Sequence, residues 1–553
     1  MELTNQNFTN YLPWVLNEIS TSCFVSLDLE LSGIPMSPSC LGPKTQSLQD
    51  RYAENKAAAE KYQILQLGLT ICHENTENAT YTLKPYNINL SPLVDRSLDV
   101  NRDWTFMSWS VEFLLGNQFS IDAICKHGVR YLSREEEAQA VERAKQKYNP
   151  EPVEAVEVNE TDQESIEFLR AVRQTISNWT KGGKHKQDYL NIPPPYHLQP
   201  LRQGLALPKL LSNMQKWLVH QLISAEYPSL TSRSKSHFVQ IEHTDPDREK
   251  KTLEEKVKAA KYRIQKHVGC RWVVEALVGG DLTDLEPQAL NALMARETQP
   301  KFTLKEVSDR LKARVAGNRP VFVGHNCFTD LVFFHQCFLG PLPDTVEEFQ
   351  VRIHELFPMV VDTKYLATHD CGSLNPLSSL EEINRKMAKI SLPKIEIDSL
   401  HSKYLYSKSS HEAGYDSMLA AIAFIKLSAQ LHRGKGMPKS QKAALDDMAI
   451  GISSSKTNLI YDLMQDDHQD QATGISQGNL IDLGDEDPTE VPPCSQSLAD
   501  LGSDDVAVKI CHGLLVPRLG SQFWEVYGNR LRVFGTNEKT LHLTGGVDGE
   551  MTT

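Results

Sequence analysis

The sequence predicts an α/β protein: a mixed sheet flanked by helices, divided along the chain by a large insertion and followed by an acidic linker. Three observations carry this prediction. Short apolar, β-rich runs and amphipathic helical patterns share residues 1–150, and they return in residues 290–430. Between them, from 151 to 289, the composition turns acidic, then proline-rich, then densely charged. From 431 to 505 apolar periodicity is lost. At 553 residues the chain exceeds an ordinary single domain, so the two patterned halves are expected to pack together as one core.

In the first half the run FVSLDLELSGIP is a strand carrying two acids. Residues two apart on a strand point to one face, so Asp28 and Glu30 reach the same point in space. Two carboxylates so placed repel unless something positive sits between them. Hard divalent cations such as Mg²⁺ or Mn²⁺, which prefer oxygen ligands, are the usual occupant.

The second half supplies the remaining groups of such a site. GNRPVFVGHNCFTDLVFF reads as a buried strand (Val321 to Val323), a turn at Gly324-His325-Asn326, and an apolar helix with Asp330 near its start. SSHEAGYDSMLAAIAFIKLSAQL reads as a loop entering an amphipathic helix. The spacing puts His411 on the loop and Asp416 in the first turns of the helix. A histidine there can take a proton from an attacking water while the aspartate stays fixed on a cation, which is the layout for two-metal hydrolysis of a phosphodiester. A lone carboxylate is ordinarily a solvated charge or a helix cap; these acids stand out because they form a set. His325 reads as a structural turn residue, and Asp362 in VVDTKYL as a strand end that caps the next element.

D-x-E on a strand, a later GHN-x3-D helix and a final HEAGYD helix resemble the DEDDh 3′–5′ exonucleases. Within them the chain resembles the family of the poly(A)-specific ribonuclease (PARN) and its relatives, the trimming enzymes. LELSGI, RYAENKAAAEKYQILQLGLTIC, GVRYLSREEE, FPMVVDTKYLA and HEAGYD occur in the family's order, over roughly residues 1–150 and 265–430. The resemblance implies an RNase H-like DEDD core and a 3′–5′ exoribonuclease that shortens poly(A) tails or trims small-RNA 3′ ends, releasing nucleoside 5′-monophosphates. It implies two Mg²⁺ ions, with Mn²⁺ as an alternative. Asp28 would bridge both ions, Glu30 and Asp416 would complete one site, Asp330 would hold the second ion, and His411 would be the general base. Ser32, Gly33 and Ile34 would form the wall beside the terminal nucleotide, and Lys364 would meet its phosphate. Leu31 stands where the poly(A)-specific enzyme is expected to carry an aromatic, which removes a stacking surface for adenine. Single-stranded RNA 3′ ends are the implied partner and a homodimer the implied assembly. The alternative is a catalytically silent RNA-binding scaffold on the same fold.

Within the insertion, residues of about 205–245 resemble the small α/β nucleic-acid-binding module defined by Arg-x3-His. Here it reads Lys216-x3-His220, which makes Lys216 and His220 candidate RNA contacts. Lysine keeps the charge but lacks the planar fork that suits arginine to phosphate. Trp217 is either a stacking platform or core. The charged run DREKKTLEEKVKAAKYRIQKH reads as a solvated, self-paired helix.

Residues 462–505 carry twelve Asp or Glu and no Lys or Arg. Such a segment cannot bury enough apolar surface to offset its ordering entropy, so the linker is expected to be disordered. Removing its twelve acids from the net charge of −13 leaves −1, so the acidic total does not exclude a nucleic-acid partner. Beyond it, residues 506–553 are aromatic and patterned like a segment that docks on the body. Val526 to Val533 reads as a hairpin turning at Gly528-Asn529. The ten cysteines form no C-x2-C pair, which argues against a zinc site. With no secretory leader and no apolar run of membrane-spanning length, the expected place is the nucleus or cytoplasm, with no membrane partner.

Overall fold

The computed structural model describes residues 1–35, 46–75, 80–148, 158, 162–181, 188–194, 207–290, 303–369, 378–390, 393–406, 409–434, 517 and 520–544. The acidic stretch 462–505 lies outside them. The described chain divides into two compact units, one of Met1–Glu137 with Gln265–Thr553 and one of Ala138–Ile264.

The larger unit begins with strand β1 (Glu2–Leu3) and the helix Phe8–Thr21, whose Leu12, Val15, Leu16 and Ile19 recur at helical spacing and are all buried. Strands β2 (Phe24–Leu31), β3 (Ile64–Asn75) and β4 (Thr80–Asn89) follow as an antiparallel meander. Between β2 and β3 lies the helix Leu48–Lys61, started by a capping box of Ser47 and Asp50.

The smaller unit contains the helices Gln163–Lys181 and Asn213–Glu226 and the strands β5 (Tyr189–Ile192), β6 (Leu230–Ser234) and β7 (Val239–His243). The strands form an antiparallel sheet in the order β5-β7-β6, with its own apolar core around Val172, Leu218, Leu222 and Ile241. The charged run forms the helix Pro246–Gln265, which buries little beyond Ala260 and Ile264 and is otherwise solvated, as its composition implies.

The larger unit resumes at Gln265, earlier than the composition break near 290 suggests. The helix Arg271–Val278 is buried along its whole length. Its two charges mislead a composition-based boundary because they are satisfied internally. Arg271 pairs with Glu275 and Glu137 and donates from Nε to the Leu132 carbonyl at 2.7 Å.

Strands β8 (Val321–Gly324), β9 (Val360–Asp362) and β10 (Lys394–Ile397) then join the first sheet. Helices Phe328–Phe334, Thr363–Thr368 and Ala413–Gly434 come after β8, β9 and β10 respectively. The C-terminal region adds the helix Gln522–Tyr527 and strands β11 (Arg530–Arg532) and β12 (Thr540–His542). This corrects the expected hairpin at 526–533: the Gly528-Asn529 pair joins a helix to a strand, and the hairpin lies one element later. Asn529, at φ +56°, makes the turn, and its side-chain oxygen accepts the Val360 N–H at 2.9 Å.

The full sheet order is β1-β4-β3-β2-β8-β9-β11-β12, with β10 also paired to β4. From β2 through β11 the neighbouring strands run parallel. Each face of this mixed sheet buries a separate apolar layer. One layer includes Leu12, Val25, Leu27, Leu29, Phe328, Phe334 and Leu531; the other includes Phe24, Val323, Val361, Phe424 and Trp524. Strand alternation therefore turns Ser26, Asp28 and Glu30 to the Phe24 face.

Candidate active site

Strand β2 ends with Asp28 and Glu30 at the carboxyl end of the parallel strands, the edge where α/β sheets place their ligands. Asp28 lies opposite Gly68 of β3, and Glu30 opposite Gln66. A Cβ on Gly68 would stand 1.8 Å from the Ala413 carbonyl oxygen, so the start of the helix Ala413–Gly434 rests directly on the β3 backbone. Two side chains of the sheet hold that start. Gln66 Oε1 accepts the Ala413 N–H at 2.8 Å, and Asn87 Oδ1 accepts the Gly414 N–H at 3.0 Å. They satisfy amides that a helix start otherwise leaves unpaired.

This docking delivers Asp416. Just before the helix, His411 adopts a left-handed conformation, φ +64°, and its backbone N–H donates to Asp416 Oδ2 at 2.9 Å. Ligating atoms of Glu30, His411 and Asp416 all lie within 4.8 Å of one another. Asp330, in the first turn of the helix Phe328–Phe334, accepts the Leu29 backbone N–H between the two acids of β2, and its charge acts on both Asp28 and Glu30.

The electrostatics follow from this crowding. Burial pushes the Asp28 carboxyl well above the ordinary carboxylate range, and the neighbouring charges of Asp330, Asp416 and Glu30 add to it. Glu30 is raised by burial and by Asp416 and Asp330. Burial raises Asp330 and Asp416 to about 7 each. Four carboxylates that repel one another, with oxygen donors on three separate elements, fit hard divalent cations of the Mg²⁺ or Mn²⁺ type. The described cysteines are all free, and none belongs to a group able to hold a metal.

The other anticipated residues fall in varied places. Ser32 is fully buried, and its hydroxyl donates to the Thr105 carbonyl at 2.7 Å while accepting the Gln63 N–H. Gly33 packs on the Tyr62 ring, leaving no room for a side chain. Ile34 is 52% exposed and Leu31 is buried. The Lys364 side chain is covered, and its ammonium donates to the Ser378 carbonyl at 2.5 Å. In the smaller unit Lys216 Nζ donates to the Ser236 carbonyl at 2.7 Å, and His220 Nδ1 lies 2.8 Å from Ser232 Oγ. Trp217 beside them is half-exposed.

His325 is the turn residue its context suggests: Nδ1 sits 2.8 Å from Thr363 Oγ1, and burial lowers its pKa to about 3. Asp362 caps the helix Thr363–Thr368 and also accepts the Asn326 N–H at 2.7 Å.

Several residues of the site were not singled out by sequence patterns. Gly68 carried a signal, since a glycine inside an apolar strand marks a close backbone approach. Phe113 did not. Its ring meets His411 edge-on with centroids 4.6 Å apart. Phe113, Trp109 and Leu115 are exposed apolar side chains on the helix Ser108–Gly116, and Phe106 is another just before it.

A mixed sheet of this topology, with two acids at the end of a central strand and two more in the first turns of helices packed beside it, is that of an RNase H-like nuclease core. The chain belongs to the CAF1 family of ribonucleases, whose model matches residues 3–424. Among curated proteins it is 23% identical to the poly(A)-specific ribonuclease PARN of Arabidopsis thaliana, over 87% of this chain and 68% of that one. It is 25% identical to the pre-piRNA 3′-exonuclease trimmer of Bombyx mori, over 80% and 75% respectively. The human poly(A)-specific ribonuclease PNLDC1 matches at 25% over 73% of this chain and 68% of its own. A solved structure of S. pombe Pop2p in its Mg²⁺- and Mn²⁺-bound form covers 80% of this chain at 12% identity and a TM-score of 0.35. No helix among the described residues is long and apolar enough to cross a membrane.

Proposed function

We propose that this chain is a divalent-cation-dependent 3′–5′ exoribonuclease of the DEDDh type, acting on single-stranded RNA 3′ ends. The observation that carries the reading is the grouping of Glu30, His411 and Asp416 within 4.8 Å of one another, with Asp28 and Asp330 close enough for their charges to act on the same acids. The names of the relatives, poly(A)-specific ribonuclease and pre-piRNA trimmer, agree with it.

Asp28, Glu30 and Asp416 would hold one cation, and Asp28 with Asp330 a second. Bound there, the pair of cations would supply charge neutralisation at the scissile phosphate and acidify the attacking water. His411 is exposed and held by its backbone, so its ring is free to take the proton of that water. Its left-handed backbone and the Phe113 ring fix the direction of the imidazole. Ile34 and Phe113 offer apolar surface against which the terminal nucleotide can rest. Removal of one nucleotide yields a nucleoside 5′-monophosphate and a new 3′-hydroxyl.

RNA labelled at its last internucleotide phosphate tests the reading. The expected first product is a labelled 5′-mononucleotide; a 3′-phosphorylated product or internal fragments would overturn it. Running an oligo(A) tail beside a mixed-sequence tail separates tail shortening from general trimming. Leu31 is buried in the apolar layer of Leu27 and Leu29, so the identity of that side chain does not decide between the two.

A further inference from the structure

We infer that Arg532, supplied by the C-terminal hairpin, binds a backbone phosphate of the RNA upstream of the bond that is cut. This rests on the exoribonuclease reading and goes beyond it, because the residue lies outside the 3–424 span matched by the family.

The sheet register carries the argument. Ser26 pairs with Val323, Val323 with Val361, and Val361 with Arg530. These strands are parallel, so Asp28 and Arg532 each lie two residues beyond that row on the same edge of the sheet, past the ends of β8 and β9. The pleat puts them on one face as well. Leu531 joins the apolar layer of Val25 and Leu27, which turns its neighbours Arg530 and Arg532 to the face of Phe24 and Asp28. Three strand spacings separate Asp28 from Arg532, roughly 14 Å at about 4.8 Å each. On a nucleic-acid strand rising about 3.4 Å per phosphate, or more when extended, that distance corresponds to roughly two to four nucleotides.

The surroundings of Arg532 leave its charge available. Its backbone N–H donates to Asp362 Oδ2 at 2.9 Å, which fixes the strand end beside the acids. Its guanidinium lies 5.2 Å over the Phe534 ring, and its Nε is buried without a hydrogen-bond partner. Lys364, the cation that family resemblance nominates for phosphate, sits 5.5 Å from the same ring. Lys364 is only 6% exposed and already donates to a carbonyl, whereas Arg532 is half-exposed. A planar, partly exposed guanidinium with no ion-pair partner among the described carboxylates, beside a second cation, suits a phosphate diester.

The test is steady-state kinetics of the full chain on a ten-nucleotide RNA, wild type against Arg532→Gln and Arg532→Lys. Each of the four linkages nearest the 3′ end is replaced in turn by an uncharged methylphosphonate. The expected result is a KM about tenfold higher for Arg532→Gln with kcat retained, and partial recovery in Arg532→Lys. One linkage two to four from the 3′ end should cost the wild type about tenfold in KM and leave Arg532→Gln indifferent. A wild-type KM in Arg532→Gln, or losses that add at every linkage, would overturn the assignment. Absence of shortening by the wild type would instead remove the exoribonuclease reading itself.

Discussion

Gly68 faces Asp28 across the β2–β3 ladder, and the Ala413 carbonyl occupies the space where a Gly68 side chain would begin, 1.8 Å from an ideal Cβ. The strand that carries the first acid is thus in register with the residue that lets the last acid approach. Any side chain at 68 must lift the start of the helix Ala413–Gly434 and carry Asp416 and His411 with it. Gly68→Ala is expected to lower kcat about 10²-fold, the cost of a displacement near 1 Å at a reacting centre. Kinetics beside a thermal melt read this directly; an unchanged kcat would show that the contact does not set the geometry.

Removing the imidazole separates chemistry from assembly. His411 is exposed, and its link to Asp416 is through its backbone N–H, so His411→Ala keeps that link. The loss should appear in kcat, by about 10²–10⁴-fold as for other general bases, with KM little changed. Stabilisation by Mn²⁺ should persist in the variant, which differential scanning fluorimetry would report.

The crowded carboxylates make stability depend on pH in a known direction. Asp330 and Asp416 titrate near 7 in the folded chain, against about 3.9 for an unperturbed aspartate. The folded state therefore binds more protons than the unfolded state between about pH 4 and 7, and the contribution of these groups falls as pH rises through that window. Cation binding relieves the repulsion. Mg²⁺ or Mn²⁺ should raise the melting temperature more at pH 8 than at pH 5, with protons released on binding. Equal shifts at both pH values would contradict the charge cluster.

The buried ion cluster around Arg271 serves stability. Its guanidinium is enclosed by Glu275, Glu137 and the Leu132 carbonyl. Arg271→Ala takes the Arg271 guanidinium from Glu137 and leaves Glu275 paired to Arg134, and it is expected to destabilise the larger unit by about 3 kcal/mol, the low end for a broken buried pair. Denaturant unfolding measures it.

The fold and the site were legible in the sequence to different depths. Asp28 and Glu30 declared themselves because a strand's period of two is written in alternation, and Asp330, His411 and Asp416 because each opens or precedes a clear apolar helix. What escaped were features fixed by distant partners. Asn529 reads locally as a hairpin turn, yet its side chain is held by Val360, 169 residues earlier in the chain. Arg271 and Glu275 look like surface charge until the fold encloses them together. Phe113 is one aromatic among eighteen phenylalanines, and only the return of the chain at His411 gives it a role.

The acids at the end of β2 and on the two helices beside it are expected to make this chain an RNA 3′-end nuclease. The most direct measurement is a time course on 5′-labelled single-stranded RNA with Mg²⁺, comparing wild type with Asp28→Asn. The expected result is a ladder shortening from the 3′ end with wild type alone, while both proteins keep their fold and bind the RNA. Equal shortening by both, or binding without shortening by either, would contradict the account.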